Sequence, residues 1–379
     1  MAVKDTSNFK WPKKFRTCGW TGLGVDLLSS WTPILAEKTG MSVGVASTPD
    51  SVNRFRWVHF GTVDMTAGGT SETQQMLEGD RRYAKRDTGP FPIRAIWAQS
   101  KSNSGFFVRG DSHIQTIDDI GPGVKAVDMR DYLASQRILE AFLLWSGKIK
   151  DVEKEVVWVP ATSSDHKAQM IVDGEAEVAF AMPSSPSIYK AEKNPHGIRW
   201  IECNSDKDPV GAKRFLDVDP LIGFAPMFNG VESCQGKWGS VGISMHCMRA
   251  DTDTELVYNM AKWLHENWEL IKDTHIWNEY MTLDSLMEEI PHTFIPLHDG
   301  LVEYLKDLGM WTAPMEKRNK KNTELVDRYV KASQEAFDMG DAKRMHVSSR
   351  NPEYLELWED YKKKLDLPRF RMFINLEED

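Results

Sequence analysis

Phe106-Phe107-Val108-Arg109-Gly110-Asp111-Ser112-His113-Ile114-Gln115-Thr116-Ile117-Asp118-Asp119-Ile120 begins the stretch whose reading decides the fold, and it runs on to Pro186. An apolar run passes here into a polar link that carries a turn. Val124 to Asp128 reads as a short buried strand, Tyr132 to Trp145 as a helix and Glu155 to Val159 as a strand. Asp165 to Val172 reads as a second helix and Val178 to Ala181 as a third strand. Short apolar runs alternating with helical periodicity predict an α/β fold with a parallel sheet. Ligands of such sheets bind beyond the carboxyl ends of the strands. Those ends are Asp128-Met129-Arg130-Asp131, Thr162-Ser163-Ser164 and Met182-Pro183-Ser184-Ser185-Pro186, each polar and each leading into a helix. Backbone N–H groups at helix starts then converge on one place, which is expected to hold a ligand.

Working outward, Phe15 to Cys18 reads as a first strand ending in Gly19-Trp20-Thr21-Gly22-Leu23-Gly24, with a helix from Asp26 to Leu35. The glycines of that loop let the backbone approach a ligand, or simply make a turn. Their G-x-x-G-x-G spacing is not the dinucleotide fingerprint. Ser42 to Ala46 follows as a strand, Ser51 to His59 as a helix, and Phe60 to Thr66 as a strand with Asp64 and Thr66 at its polar end. Gly68-Gly69-Thr70 and Glu78 to Arg82 flank what reads as a surface helix, and Ile93 to Ala98 closes the first lobe. Beyond the central stretch, Ile198 to Glu202 reads as a closing strand, residues 206–226 as irregular, Val241 to Cys247 as a strand and Thr254 to Trp268 as an amphipathic helix. Two chain crossings, near 105 and 240, give a hinged two-lobe architecture of the kind that closes around a ligand. Lobe 1 is expected to comprise residues 1–104 and 240–299, and lobe 2 residues 105–239. Residues 300–379 should form a helical extension packed on lobe 1, with helices at 323–337 and 352–365, and this surface is the alternative place for a partner to dock.

A chain of 379 residues, 41% hydrophobic and 27% charged, has the makings of two lobes with ample core. Its net charge of −9 argues against nucleic acid or an anionic membrane surface as a partner. The basic run Lys317-Arg318-Asn319-Lys320-Lys321 reads as a solvated loop. No apolar segment approaches the ~18 residues of a membrane span. Cys18, Cys203, Cys234 and Cys247 form neither a CxxC pair nor a zinc spacing and read as buried small hydrophobes.

Val108-Arg109-Gly110-Asp111-Ser112-x-Ile114-x-Thr116-Ile117-Asp118-Asp119-Ile120, Arg137-Ile138-Leu139-Glu140-Ala141 and Met170-x-x-Asp173-Gly174-x-x-Glu177-x-Ala179-Phe180 together resemble the type II periplasmic-binding-protein fold. More narrowly, residues 13–312 are similar to the TAXI family, the solute receptors of one class of TRAP transporter. Later echoes are Val241-Gly242-Ile243-Ser244, Leu256 to Met260 and Ile295 to Gly300. The resemblance implies an extracytoplasmic, periplasmic monomer that captures a small polar organic ligand, a carboxylate or an amino acid, and delivers it to a TRAP-type membrane permease. It also implies that an export signal has been removed, since Met1 to Thr6 lacks the apolar core of one; a natural, complete chain of this sequence would be cytoplasmic. Export would permit a disulfide, with Cys203–Cys234 the first pair to test. In the family the first loop carries a Gly-Gly-Thr-Gly-Gly run and a tyrosine pair; Thr21-Gly22 matches, while Trp20 and Leu23 replace glycines and Val25-Asp26 stand at the tyrosine positions.

The sequence carries no P-loop, H-E-x-x-H, G-x-S-x-G or kinase-type loop, so neither catalysis nor a cofactor is expected. His246 beside Cys247 lies in a buried strand and reads as a core pair. Arg130, just past a strand end, is placed to take a carboxylate through two parallel hydrogen bonds, or else to pair with Asp128 or Asp131. With Asp26 and Asp64 these acids also suit a cationic amine or a metal, and a zwitterion satisfies both signs. Trp20, Tyr132 and Trp238 are expected as pocket wall, Thr21, Gly22, Ser184 and Ser185 as backbone and hydroxyl donors. The competing readings are a cytoplasmic enzyme on the same fold, of the NMT1/THI5 pyrimidine-synthesis group, and a ligand-sensing domain that signals to a partner.

Overall fold

The computed structural model describes residues 4, 8–130, 132–163, 165–373 and 375–377. The fold is mixed α/β, the class expected from the sequence, and the chain divides into two compact units, Met1–Ser100 with Ile243–Asp379, and Lys101–Gly242.

In the first unit, β1 (Lys14–Trp20), α1 (Leu23–Thr39), β2 (Ser42–Thr48), α2 (Ser51–His59), β3 (Met65–Gly69) and α3 (Thr70–Leu77) follow one another, and β4 (Ile93–Arg109) runs on into the second unit. β1 pairs in parallel with β2, Lys14 opposite Ser42, and with β3, Thr17 opposite Met65. Parallel pairing puts the carboxyl ends Trp20, Thr48 and Gly69 at one edge, where three helices begin. Leu27, Leu28, Trp31 and Leu35 of α1 and Val52, Phe55 and Val58 of α2 are the buried apolar stripes that hold those helices on the sheet.

The second unit continues with β5 (Lys125–Asp128), α4 (Leu133–Leu143), α5 (Val152–Glu155), β6 (Val157–Pro160), α6 (His166–Asp173), β7 (Ala179–Ala181) and α7 (Pro186–Glu192). β8 (Ile198–Ile201), α8 (Pro209–Val218), β9 (Gly223–Pro226) and the first part of β10 (Trp238–Arg249) complete it. β5 and β6 are parallel, and Val178 bridges in parallel to Ala126. The second half of β4 lies antiparallel to β7 and β8. Successive side chains of a strand face opposite ways, so Phe106 enters one core, stacked 3.7 Å from Phe142, while Phe107 enters another with Ile171 and Trp200. The first-unit residues of β10 pair antiparallel with β3, His246 opposite Ala67. The chain then forms α9 (Thr254–Glu266), α10 (Trp268–Ile271), α11 (Leu283–Glu289), α12 (Asp299–Asp307), α13 (Ala313–Ala342) and α14 (Pro352–Lys364). Among the described residues, no helix is long and apolar enough to cross a membrane.

The structure corrects several readings. Residues 60–64 are turn, and β3 starts at Met65, because the chain leaving α2 is drawn back to β1 by the Asp64 N–H, which donates to the Arg16 carbonyl at 2.8 Å. The polar helix α3 is buried, not on the surface; α13 and the segment after α14 cover it, with the Phe370 N–H donating to Glu78 at 2.9 Å. Residues 209–218, read as irregular, are helical: Asp208 accepts from the Gly211 N–H at 2.9 Å, Pro209 opens the helix, and Ala212 and Phe215 are its buried face. The basic run at 317–321 sits inside the thirty-residue α13, with Arg318 buried. β4 is one uninterrupted strand through both units. Glu155 belongs to α5 rather than to the next strand. All four cysteines are free and buried, so the Cys203–Cys234 bridge is not formed.

Candidate functional site

The first unit's strand ends are built around a buried guanidinium. Gly22, at φ +84°, turns β1 into α1 in the left-handed region that glycine enters without strain. Trp20 lies against that turn so closely that a Cβ on Gly24 would stand 2.5 Å from its ring. The Arg54 guanidinium lies 5.2 Å from the Trp20 ring centroid, donates to the Ala67 carbonyl at 2.5 Å and reaches both oxygens of Glu72 at 2.7 Å. Its Nε–H finds no partner among the described residues. The Thr21 and Ser47 hydroxyls are 2.9 Å apart, and Asp50 accepts from the Val52 N–H at the start of α2 and from Arg82. Trp20, Thr21 and Gly22 thus stand together at the carboxyl end. Asp64 does not join them: it precedes β3 at the opposite edge, where it accepts from the Arg16 N–H at 2.7 Å. Thr66 is inside β3, fully buried, donating to the Cys18 carbonyl at 3.1 Å.

In the second unit, Asp128 closes β5, Tyr132 is the N-cap of α4 and Ser185 that of α7, while Ser184 is buried. Asp131 lies outside the described residues. Arg130 is half-exposed and already engaged: its N–H donates to Asp128 at 2.9 Å, its guanidinium lies 3.4 Å from Asp128 and 3.5 Å from Glu153, and it stands 5.8 Å over the Trp158 ring. That is the bracing arrangement. Trp238 opens β10 and its N–H points to Glu202 at 3.4 Å, next to β9 rather than to β5, β6 or β7. Asp26 and Asp64 belong to one unit and Asp128 to the other, and among the described residues no three His, Cys, Asp or Glu side chains are placed to hold a metal ion.

Lys167 was missed by sequence reading. It is the second residue of α6, 5% exposed, with its ammonium 5.9 Å from the Phe180 ring centroid. Among the described residues it forms no hydrogen bond or ion pair. Burial pulls its pKa down to about 8, against the weaker upward effect of Asp165. The only sequence signal is a lysine in the first turn of a helix, where the dipole disfavours a cation. Elsewhere in this unit a cavity of about 560 Å³ is lined by Thr116, Arg199, Trp200 and Lys237. Its charges are satisfied locally, Arg199 by the carbonyls of Gly110, Ser112 and Ile114 and Lys237 by Glu202.

A sequence model of the NMT1-like family matches residues 18–309. Similar solved structures include the periplasmic aliphatic sulphonate binding protein SsuA from Escherichia coli, 12% identical over 84% of this chain and 88% of that one, with a TM-score of 0.41. A binding protein component of a phosphonate ABC transporter from Pseudomonas aeruginosa is 12% identical over 85% and 98% of the two chains, TM-score 0.44. The substrate binding protein of an amino acid ABC transporter is 13% identical over 70% and 98%, TM-score 0.40. No curated protein matches the sequence.

Proposed function

This chain belongs to the NMT1-like family, and from that premise we propose that it is an extracytoplasmic solute receptor of the TAXI kind, handing a small polar organic ligand, a carboxylate or an amino acid, to a TRAP-type permease. The observation that supports this most is the first unit's edge, where Trp20, Thr48 and Gly69 end parallel strands and three helices start. An edge where helices start beside an aromatic ring suits capture of a polar solute. The expected donors Thr21 and Gly22 stand there, and Ser184 and Ser185 hold the equivalent position after β7. Binding orients the solute, and no bond is made or broken.

Native mass spectrometry of the purified protein is the direct test. A bound small molecule, released on denaturation and restoring the melting temperature when added back, is the expected result. A protein that carries no small molecule and gains no stability from carboxylates, amino acids or polar amines would overturn the reading. Membership of the NMT1-like family also favours the pyrimidine-synthesis alternative; conversion of the retained molecule to a new product during incubation would select it.

A further inference from the structure

We propose that Lys167 is an anion-anchoring residue of the second unit, taking a carboxylate or other oxyanion of a small organic acid beside the Phe180 ring. The inference deepens the receptor reading and rests on it. Three observations converge. Lys167 is 5% exposed, yet among the described residues its ammonium makes no hydrogen bond or ion pair, and only Asp165, beyond ion-pair distance, offsets its charge in part. A buried amine of this kind is ordinarily paired or neutralised. It faces an aromatic ring, Phe180 at 5.9 Å, which attracts a cation but leaves the charge unneutralised. It also occupies the first turn of the eight-residue α6, the helix that follows β6, where the helix dipole is positive. Two positive features therefore meet at this helix start, and the Asp165 carboxylate beside them offsets them only in part. An incoming acid supplies the ion-pair partner, and its desolvation is offset by an ammonium whose side chain is already largely buried.

The alternative acid anchor, Arg130, is engaged by Asp128 and Glu153. Lys167 differs in having its bonding capacity unspent. Its helix α6 packs on α7, the helix that follows Ser184 and Ser185, and Ser187 in the first turn of α7 has a buried hydroxyl without a partner among the described residues.

The test uses full-length wild type and Lys167→Met, which keeps the stem and removes the charge. Glutamate, succinate, methanesulfonate, inorganic phosphate, putrescine and glucose are titrated into each by calorimetry, with melting temperatures measured alongside. The expected result is that at least one of the four anions binds wild type and binds the variant at least tenfold more weakly. The ligand-free variant should meanwhile melt higher, because a buried charge with no ion pair has gone. A ligand that binds both proteins equally overturns the role of Lys167 and leaves the receptor reading standing. A variant that melts lower and binds the anion normally assigns Lys167 to packing and also overturns it. Putrescine or glucose binding with none from the anions overturns it as well. If none of the six binds wild type, both the anchor and the receptor reading fall. Should Lys167→Met not fold, Lys167→Gln takes its place with the same readings.

Discussion

Arg54 and Glu72 form a closed pair in which one guanidinium nitrogen lies 2.7 Å from both carboxylate oxygens while the arginine side chain is 1% exposed. The pair joins α2 to α3 under the Trp20 ring, so charge adds to the apolar packing that holds the edge of the first unit. Removing one partner from such a pair leaves an uncompensated buried charge, at about 3–5 kcal/mol. Glu72→Ala should therefore lose on that order of stability in urea melts, and Arg54→Met with Glu72→Met should lose less than Glu72→Ala alone. Equal losses would mean that the pair adds nothing through its charges.

Glu78 fastens the C-terminal segment. It is 4% exposed, accepts from the Phe370 N–H at 2.9 Å and lies 3.3 Å from Arg369, while the Trp358 indole donates to its carbonyl at 3.1 Å. Burial raises its carboxyl pKa, with Arg369 opposing. The folded protein holds that proton more tightly than the unfolded chain, so this contribution to stability is greatest below the ordinary 4.5 and is lost as pH rises through the folded value. Glu78→Gln, which cannot ionise, should gain stability relative to wild type between pH 4 and pH 8. A difference that stays flat across that range would refute it.

His246 gives the opposite slope. Burial alone lowers its pKa to about 3, and neither ring nitrogen has a partner among the described residues. Its ring is 5.5 Å from that of Trp31. The unfolded chain accepts a proton that the folded one refuses, so stability from this group is present above pH 6.5 and is lost as pH falls toward 3. Each pH unit in that window costs about 1.4 kcal/mol. His246→Phe should flatten the fall in stability from pH 6.5 to pH 4.5 by a share of that figure; an unchanged slope would show that other groups carry it.

Burial pushes the thiols of Cys234 and Cys247 up to about 11 and about 12, and those of Cys18 and Cys203 upward as well. Thiolate is the reactive form, so native protein should resist alkylation. Denatured, unreduced protein should take up four labels, and reductant should leave the melting temperature unchanged. Two labels instead of four would establish a disulfide.

Element order in the first unit was legible because its helices carry regular apolar stripes: Ser51–His59 has Val52, Phe55 and Val58 on one face, and its bounds match the expectation. α3 was misplaced for a definite reason. Thr-Ser-Glu-Thr-Gln-Gln spells a solvated face to any reading of periodicity, and part of what buries it arrives at Phe370, 292 residues after Glu78. Lys167 escaped for a similar reason. Nothing in Asp165-His166-Lys167 distinguishes an unpaired ammonium from a surface one, since the distinction is made by Phe180 across the chain. Arg130 was located correctly at a strand end, but its acceptors include Glu153, which no local spacing reveals.

The division of the chain sets an order of assembly during synthesis. Lys101–Gly242 is one continuous segment, whereas the first unit needs Ile243 onward for the partner of β3 and for the rings that meet Trp31. When residue 100 has left the ribosome, Trp31 has neither His246 nor Trp263 to pack against. At about 5–20 residues per second, that wait lasts on the order of ten seconds. The middle of the chain is therefore complete before its beginning. The N-terminal hundred residues spend the interval with an apolar helix face uncovered, the interval in which a chaperone would find them.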